Sequence, residues 1–139
     1  MSIPPAWQTE GRRPRVLLVD DDREILDAVQ YAMENEDYEV HIARDGNQGI
    51  ATAESVKPDL MIVDMMMPKR SGFLVLERLR ETYDRPLRAI MVTANEGDRH
   101  REYAKLLGAT EYIIKPFVMG QLLEAARRIL NEPLPDMNA

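Results

Sequence analysis

Short apolar runs recur along the chain at intervals of 20 to 30 residues: "RVLLVD" (15–20), "EVHIA" (39–43), "DLMIVD" (59–64), "RAIMVT" (88–93) and "TEYIIK" (110–115). Each is short and rich in Val, Ile, Leu or Met, as a strand buried on both faces requires. The segments between them carry helical spacing. Ile25, Leu26, Val29 and Met33 form one stripe, and Phe73, Leu76 and Leu79 another. Tyr103, Leu106 and Leu107 mark a fourth helix, and Leu122, Leu123, Ala126 and Leu130 a fifth. The second, "GNQGIATAESV" (46–56), is weaker because Gly46 and Gly49 lower its helix propensity. Strand and helix in strict alternation predict five βα units around a parallel sheet, an α/β domain over residues 15–131. Residues 1–14 and 132–139 read as tails.

Polar residues interrupt this pattern at the strand ends. Asp20, Asp21 and Asp22 close the first strand, Asp64 the third, Thr93 the fourth and Lys115 the fifth. An open α/β sheet binds its ligands outside the carboxyl ends of its strands. Several carboxylates in one crevice repel each other unless a cation neutralises them, and a hard divalent ion such as Mg2+ suits an all-oxygen set. An ammonium and a hydroxyl beside them suit phosphoryl oxygens, with one carboxylate as nucleophile. Asp22 can instead cap the helix that begins near Arg23.

Composition narrows the classes. The 139 residues carry 24 acidic and 18 basic side chains, a formal charge of -6, and no cysteine. The charges are spread along the chain, which argues against direct nucleic-acid binding. The one basic cluster, Arg12, Arg13 and Arg15, reads as solvated charge beside a tail. Disulfides and thiolate chemistry are excluded, and no run approaches the roughly 18 apolar residues of a membrane span. A cytoplasmic domain without membrane attachment is expected. His41 sits mid-strand and His100 in a charged helix start, and neither suggests a phosphodonor or a metal ligand.

The ordered set "VLLVDDD", "IVDMMMP", "MVTA" and "YIIKPF" resembles the CheY-like receiver domain of bacterial two-component response regulators, over roughly residues 14–131. The resemblance implies a flavodoxin-like (βα)5 three-layer sandwich with parallel sheet order 2-1-3-4-5. It implies a regulator rather than a dedicated enzyme. Asp64 would be the phospho-acceptor, charged by a sensor histidine kinase or a histidine phosphotransfer protein. Mg2+ would be held by Asp21, Asp64 and the backbone carbonyl of Met66, with Asp20 partly through water. Thr93 would supply the switch hydroxyl, the Ala94 N–H a phosphoryl contact, Lys115 a phosphoryl ligand and Tyr112 the switch aromatic. A cis peptide is expected before Pro116, while Pro68 and Gly72 match positions that shape the following turn. Met66 and Asn95 would flank the route of the attacking water. The face formed by the fourth helix, fifth strand and fifth helix would meet a downstream protein, with homodimerisation left open.

Two other readings compete. A haloacid-dehalogenase-like phosphotransfer enzyme also uses a strand-end aspartate, and Asp20-x-Asp22 imitates its motif. That pattern wants Thr or Val where Glu24 stands. A pseudo-receiver scaffold would have lost an acidic residue, the threonine or the lysine, and all are present. After Leu130 only nine residues remain, too few for an effector domain within this sequence.

Overall fold

The computed structural model describes residues 2–67, 71–82, 88–94 and 97–135. Five parallel strands form one sheet: β1 (Arg15–Val19), β2 (Glu39–Ala43), β3 (Leu60–Asp64), β4 (Ala89–Thr93) and β5 (Ala109–Ile114). Each is followed by a helix: α1 (Arg23–Asn35), α2 (Gly46–Val56), α3 (Gly72–Thr82), α4 (Asp98–Leu106) and α5 (Met119–Asn131). The sheet order is β2-β1-β3-β4-β5, the expected 2-1-3-4-5. The order reverses at β1, so β1 and β3 lie side by side with Leu18 opposite Ile62 and Val19 opposite Val63.

Alternate residues along each strand feed opposite faces, as the pleat requires. Val16, Leu18, Ile62, Ile90 and Val92 pack with α1 and α5, around Leu26, Met33, Leu122 and Ile129. Leu17, Val19, Met61, Val63 and Met91 pack on the other face with α2, α3 and α4. β3 and β4 are buried along their whole length, which explains why they read as unbroken apolar runs. This double burial fixes the register, because a slip of one residue would exchange the two faces.

Local chemistry starts and spaces the helices. Asp22 caps α1, its carboxylate accepting from the N–H groups of Glu24 at 3.0 Å and Ile25 at 3.4 Å. Asp45 caps α2 by accepting from the Gln48 N–H at 2.9 Å. Gly49, which weakened this helix on paper, lets it approach β1 closely. A Cβ there would stand 2.9 Å from Val19 Cγ1.

The fourth helix forms where its apolar residues placed it, and one expectation, on Arg12, needs correction. In α4, Tyr103 and Leu106 are exposed and Ala104 is buried, with Leu107 buried just past the end of the helix. The helix covers the sheet edge with an i, i+3 pair, so its larger apolar residues face outward, Tyr103 packing at 5.1 Å on the Phe73 ring. Arg12 is not solvated tail charge, since its side chain is only 16% exposed and pairs with Asp59. The segments flanking the sheet also carry structure. A one-turn helix spans Ala6–Thr9, and Ser2–Ile3 pairs antiparallel with Leu134–Pro135. No helix among the described residues is long and apolar enough to cross a membrane.

Candidate functional site

Asp20 and Asp21 follow β1, Asp64 ends β3, Thr93 ends β4 and Lys115 follows β5, so the topology delivers all five to the carboxyl edge. Oxygens of Asp20, Asp21 and Asp64 lie within 4.8 Å of one another. The Lys115 ammonium joins two of them, 2.9 Å from Asp20 Oδ2 and 3.4 Å from Asp64 Oδ2. Asp20, Asp64 and Thr93 are buried while Asp21 is exposed, so the cluster has a sealed floor and an open mouth.

Backbone groups fix the carboxylates. Asp20 accepts from the Asp22 N–H at 2.9 Å, and Asp64 from the Met66 N–H at 3.1 Å. The Asp20 N–H donates to the Ala43 carbonyl at 3.1 Å, continuing the β1–β2 ladder by one step. On the opposite rim the Lys115 N–H donates to the Thr93 carbonyl at 2.8 Å. The Lys115–Pro116 peptide is cis. Gly72 matters for the acceptor loop: a Cβ there would sit 2.5 Å from the Asp64 carbonyl oxygen and 3.0 Å from Met65 Cα. Its own N–H donates to the Met65 carbonyl at 3.0 Å.

The electrostatics follow from burial and crowding. Burial, then repulsion by Asp20, pushes the Asp64 carboxyl up to about 6, against the opposing pull of Lys115 and the Met66 N–H. A cavity of about 20 Å³, apolar except for Asp20 and Asp64, lies beneath the carboxylates and includes Leu18, Ile62, Val92 and Phe117 in its wall. Burial alone would lower the Lys115 value, but the Asp20 hydrogen bond and the charges of Asp20 and Asp64 outweigh it and raise it. One ammonium facing three carboxylates leaves the cluster short of positive charge, and a hard divalent cation would supply it. The donor set fits Mg2+, offering only carboxylate oxygens.

The remaining predicted residues lie around this core. Met66 is exposed, and Ala94 is exposed on the loop after β4. Ala94, Lys115 and Pro116 share a shallow cleft with Ile25, Phe117 and Met119. Tyr112 lies on the far side of β5, buried, with its hydroxyl 3.9 Å from Met65 Sδ. The Arg101 guanidinium stands over the Tyr112 ring at 4.9 Å. No sequence signal pointed to Arg101, a cation on a polar helix face. His100 stacks on Phe73, and His41 pairs with Glu39, so neither faces the cluster. Pro68 and Asn95 lie outside the described residues.

A parallel α/β sheet that gathers three carboxylates and a lysine at its switch point defines a class of cation- and oxyanion-handling domain. The family model for the response regulator receiver domain matches residues 16–127, and the chain belongs to that family. Among curated relatives, it is 34% identical over 125 residues to response regulator MprA of Mycolicibacterium vanbaalenii, covering 90% of this chain and 54% of the relative. It is 38% identical over 116 residues to the transcriptional regulatory protein CpxR of Klebsiella pneumoniae, covering 84% and 49%. The chain thus spans about half the length of the curated relatives it matches. A CheY-like receiver domain from Methanospirillum hungatei superposes with TM-score 0.80 at 33% identity, covering 85% of this chain and 94% of that one. The non-phosphorylated HemR receiver domain of Leptospira biflexa gives TM-score 0.83 at 27% identity, covering 89% and 99%. The family makes this a domain of phosphorylation-dependent signalling rather than a dedicated enzyme, and magnesium is typical of it.

Proposed function

We propose that Asp64 accepts a phosphoryl group from a phosphohistidine, carried by a sensor histidine kinase or a histidine phosphotransfer protein, and that the transfer resets a partner-binding face. A carboxylate oxygen of Asp64 forms the new O–P bond as the donor's N–P bond breaks. The electron pair of that bond stays on the imidazole, which takes up a proton. The observation that carries the reading is Lys115 bridging Asp20 and Asp64, which places a fixed cation beside the buried nucleophile. Lys115 is then within reach of a phosphoryl oxygen on Asp64, and the Asp20 bond orients its ammonium.

Asp21, Asp64 and the Met66 carbonyl would hold Mg2+, with Asp20 partly through water, and the ion would neutralise charge on the phosphoryl oxygens. Thr93 is the hydroxyl drawn toward the modified Asp64, and the Ala94 N–H donates to the same group. Tyr112 fills the space behind Thr93 in the active arrangement. The added oxygens shift the equilibrium only by their differential interaction with its two states. A change from 1:99 to 99:1 requires about 5.5 kcal/mol. The output surface is the face of α4, β5 and α5, where Leu106 and Tyr103 present apolar area outward. The setting is the cytoplasm, with no direct nucleic-acid contact from this domain.

The phosphatase-like reading is disfavoured by Asp22. Its carboxylate accepts from two N–H groups of the first turn of α1, which removes it from the role of general acid. Acetyl phosphate with Mg2+ separates the readings. A receiver accumulates a phosphoryl-protein, an enzyme turns over many equivalents rapidly, and a pseudo-receiver does neither.

A further inference from the structure

The last turn of a helix leaves its carbonyls without intrahelical partners. In α5 two of these are met by side chains from distant parts of the chain. The Trp7 indole N–H donates to the Leu130 carbonyl at 2.9 Å. The Arg88 guanidinium donates to the Ile129 carbonyl and, at 2.8 Å, to the Pro133 carbonyl just beyond the helix. A cation at this end also complements the helix dipole.

Trp7 belongs to a segment fastened at both ends. At one end Ile3 pairs antiparallel with Leu134, and Ser2 with Pro135. At the other, Arg12 grips Asp59 in bidentate fashion at 2.8 and 3.2 Å. Asp59 Oδ2 also accepts from the Arg15 N–H at 2.7 Å, which ties the grip to the first residue of β1. Between these points Pro5, Ala6 and Trp7 line a small cavity together with Pro58, Leu130 and Leu134 at the amino edge of the sheet. The segment itself, with Leu130, Leu134 and Pro135 that it meets, lies ahead of or beyond the residues 16–127 that define the family, while Pro58, Asp59 and Arg88 lie within them.

We propose that residues 2–12 form a clasp that closes over the carboxyl end of α5 and fixes the path of the chain leaving the domain at Pro135. A two-stranded pair of two residues each has little stability of its own. The clasp therefore depends on Trp7 and Arg12, and it opens as a unit when either fastening is lost. α5 carries the clasp at one end and follows the Lys115–Pro116 loop at the other, about 20 Å away for 13 residues. Motion of its final turn requires the clasp to open, whatever occupies Asp64.

Hydrogen exchange tests this directly on the full chain and on a chain lacking residues 1–10. Without the segment, the peptide covering residues 129–135 should exchange at least tenfold faster, while the peptide covering β3 keeps its protection. Unchanged exchange at 129–135 would overturn the clasp. Should the shortened chain lose protection throughout, Trp7→Ala in the full chain decides by the same two peptides. A further readout is built in, because Trp7 is the sole tryptophan. Its emission should shift to longer wavelength in Arg12→Ala, with phosphorylation by acetyl phosphate unchanged. An unshifted emission would mean that Arg12 does not hold the segment.

Discussion

Replacing Asp64 by Asn should stabilise the metal-free protein at neutral pH, even though it removes the proposed acceptor. Asp64 is 6% exposed, and its carboxyl sits at about 6 against an ordinary 3.8. That difference corresponds to about 3 kcal/mol at most. That figure already includes the opposing pull of Lys115, and the Asn amide, whose NH2 cannot accept from the ammonium, takes back about 1–2 kcal/mol as an imperfectly paired polar group. A net gain of about 1–2 kcal/mol remains. The raised value means that the folded state holds the Asp64 proton more tightly than the unfolded chain does. Wild-type stability from this group is therefore full below pH 3.8 and lost as pH rises through about 6. The mutant lacks that loss, so its advantage should be full above about pH 7 and vanish near about pH 4. Urea denaturation of both proteins in a chelator at the two pH values measures the gap. Mg2+ at a hundredfold excess over its Kd should then favour the wild type by about 2.7 kcal/mol relative to a mutant that no longer binds it. A mutant less stable than wild type at neutral pH without metal, or a gap that ignores pH, would refute the reasoning.

Three further outcomes follow from the same geometry. Lys115→Ala removes the cation shared by Asp20 and Asp64 and should cost about 1–3 kcal/mol in the absence of metal; the phosphorylated mutant should bind partner poorly, which a binding assay reads. Gly72→Ala forces a Cβ against the Asp64 carbonyl and should cost about 1–3 kcal/mol by denaturation, with slower phosphorylation, because the acceptor loop must shift. Met66→Asn should shorten the phosphoryl lifetime, since an exposed Met beside Asp64 offers the attacking water no hydrogen bond; a decay assay in which wild type is the faster of the two would reverse this assignment.

The sheet and the cluster were legible in the sequence for a common reason. Strands buried on both faces must read as apolar runs, and four of the five runs ended on a residue whose charge or hydroxyl had no place in a core. Asp64 after "LMIV" was the plainest case, and the carboxyl edge brought it to Lys115. Asp22 was legible as a cap because capping is local. What failed to show depends on distant partners. Arg12 reads as tail charge until Asp59, 47 positions away, is beside it. Trp7 meets Leu130 across 123 positions, and nothing in either neighbourhood announces it. Tyr103 and Leu106 marked the fourth helix by their spacing, but not which side they take, since Ala104 and Leu107 are the residues that cover the sheet edge. Gly49 counted against a helix by propensity, whereas its value is the space it leaves for Val19.

The claim that Asp64 is the working group is tested most directly by locating the phosphoryl group. Wild type and Asp64→Asn would be incubated with acetyl phosphate and Mg2+, trapped by borohydride reduction of the acyl phosphate, and mapped by peptide mass spectrometry. The account predicts reduction at residue 64 in wild type and no modified peptide in the mutant. Label on another residue, or label persisting in Asp64→Asn, would contradict it.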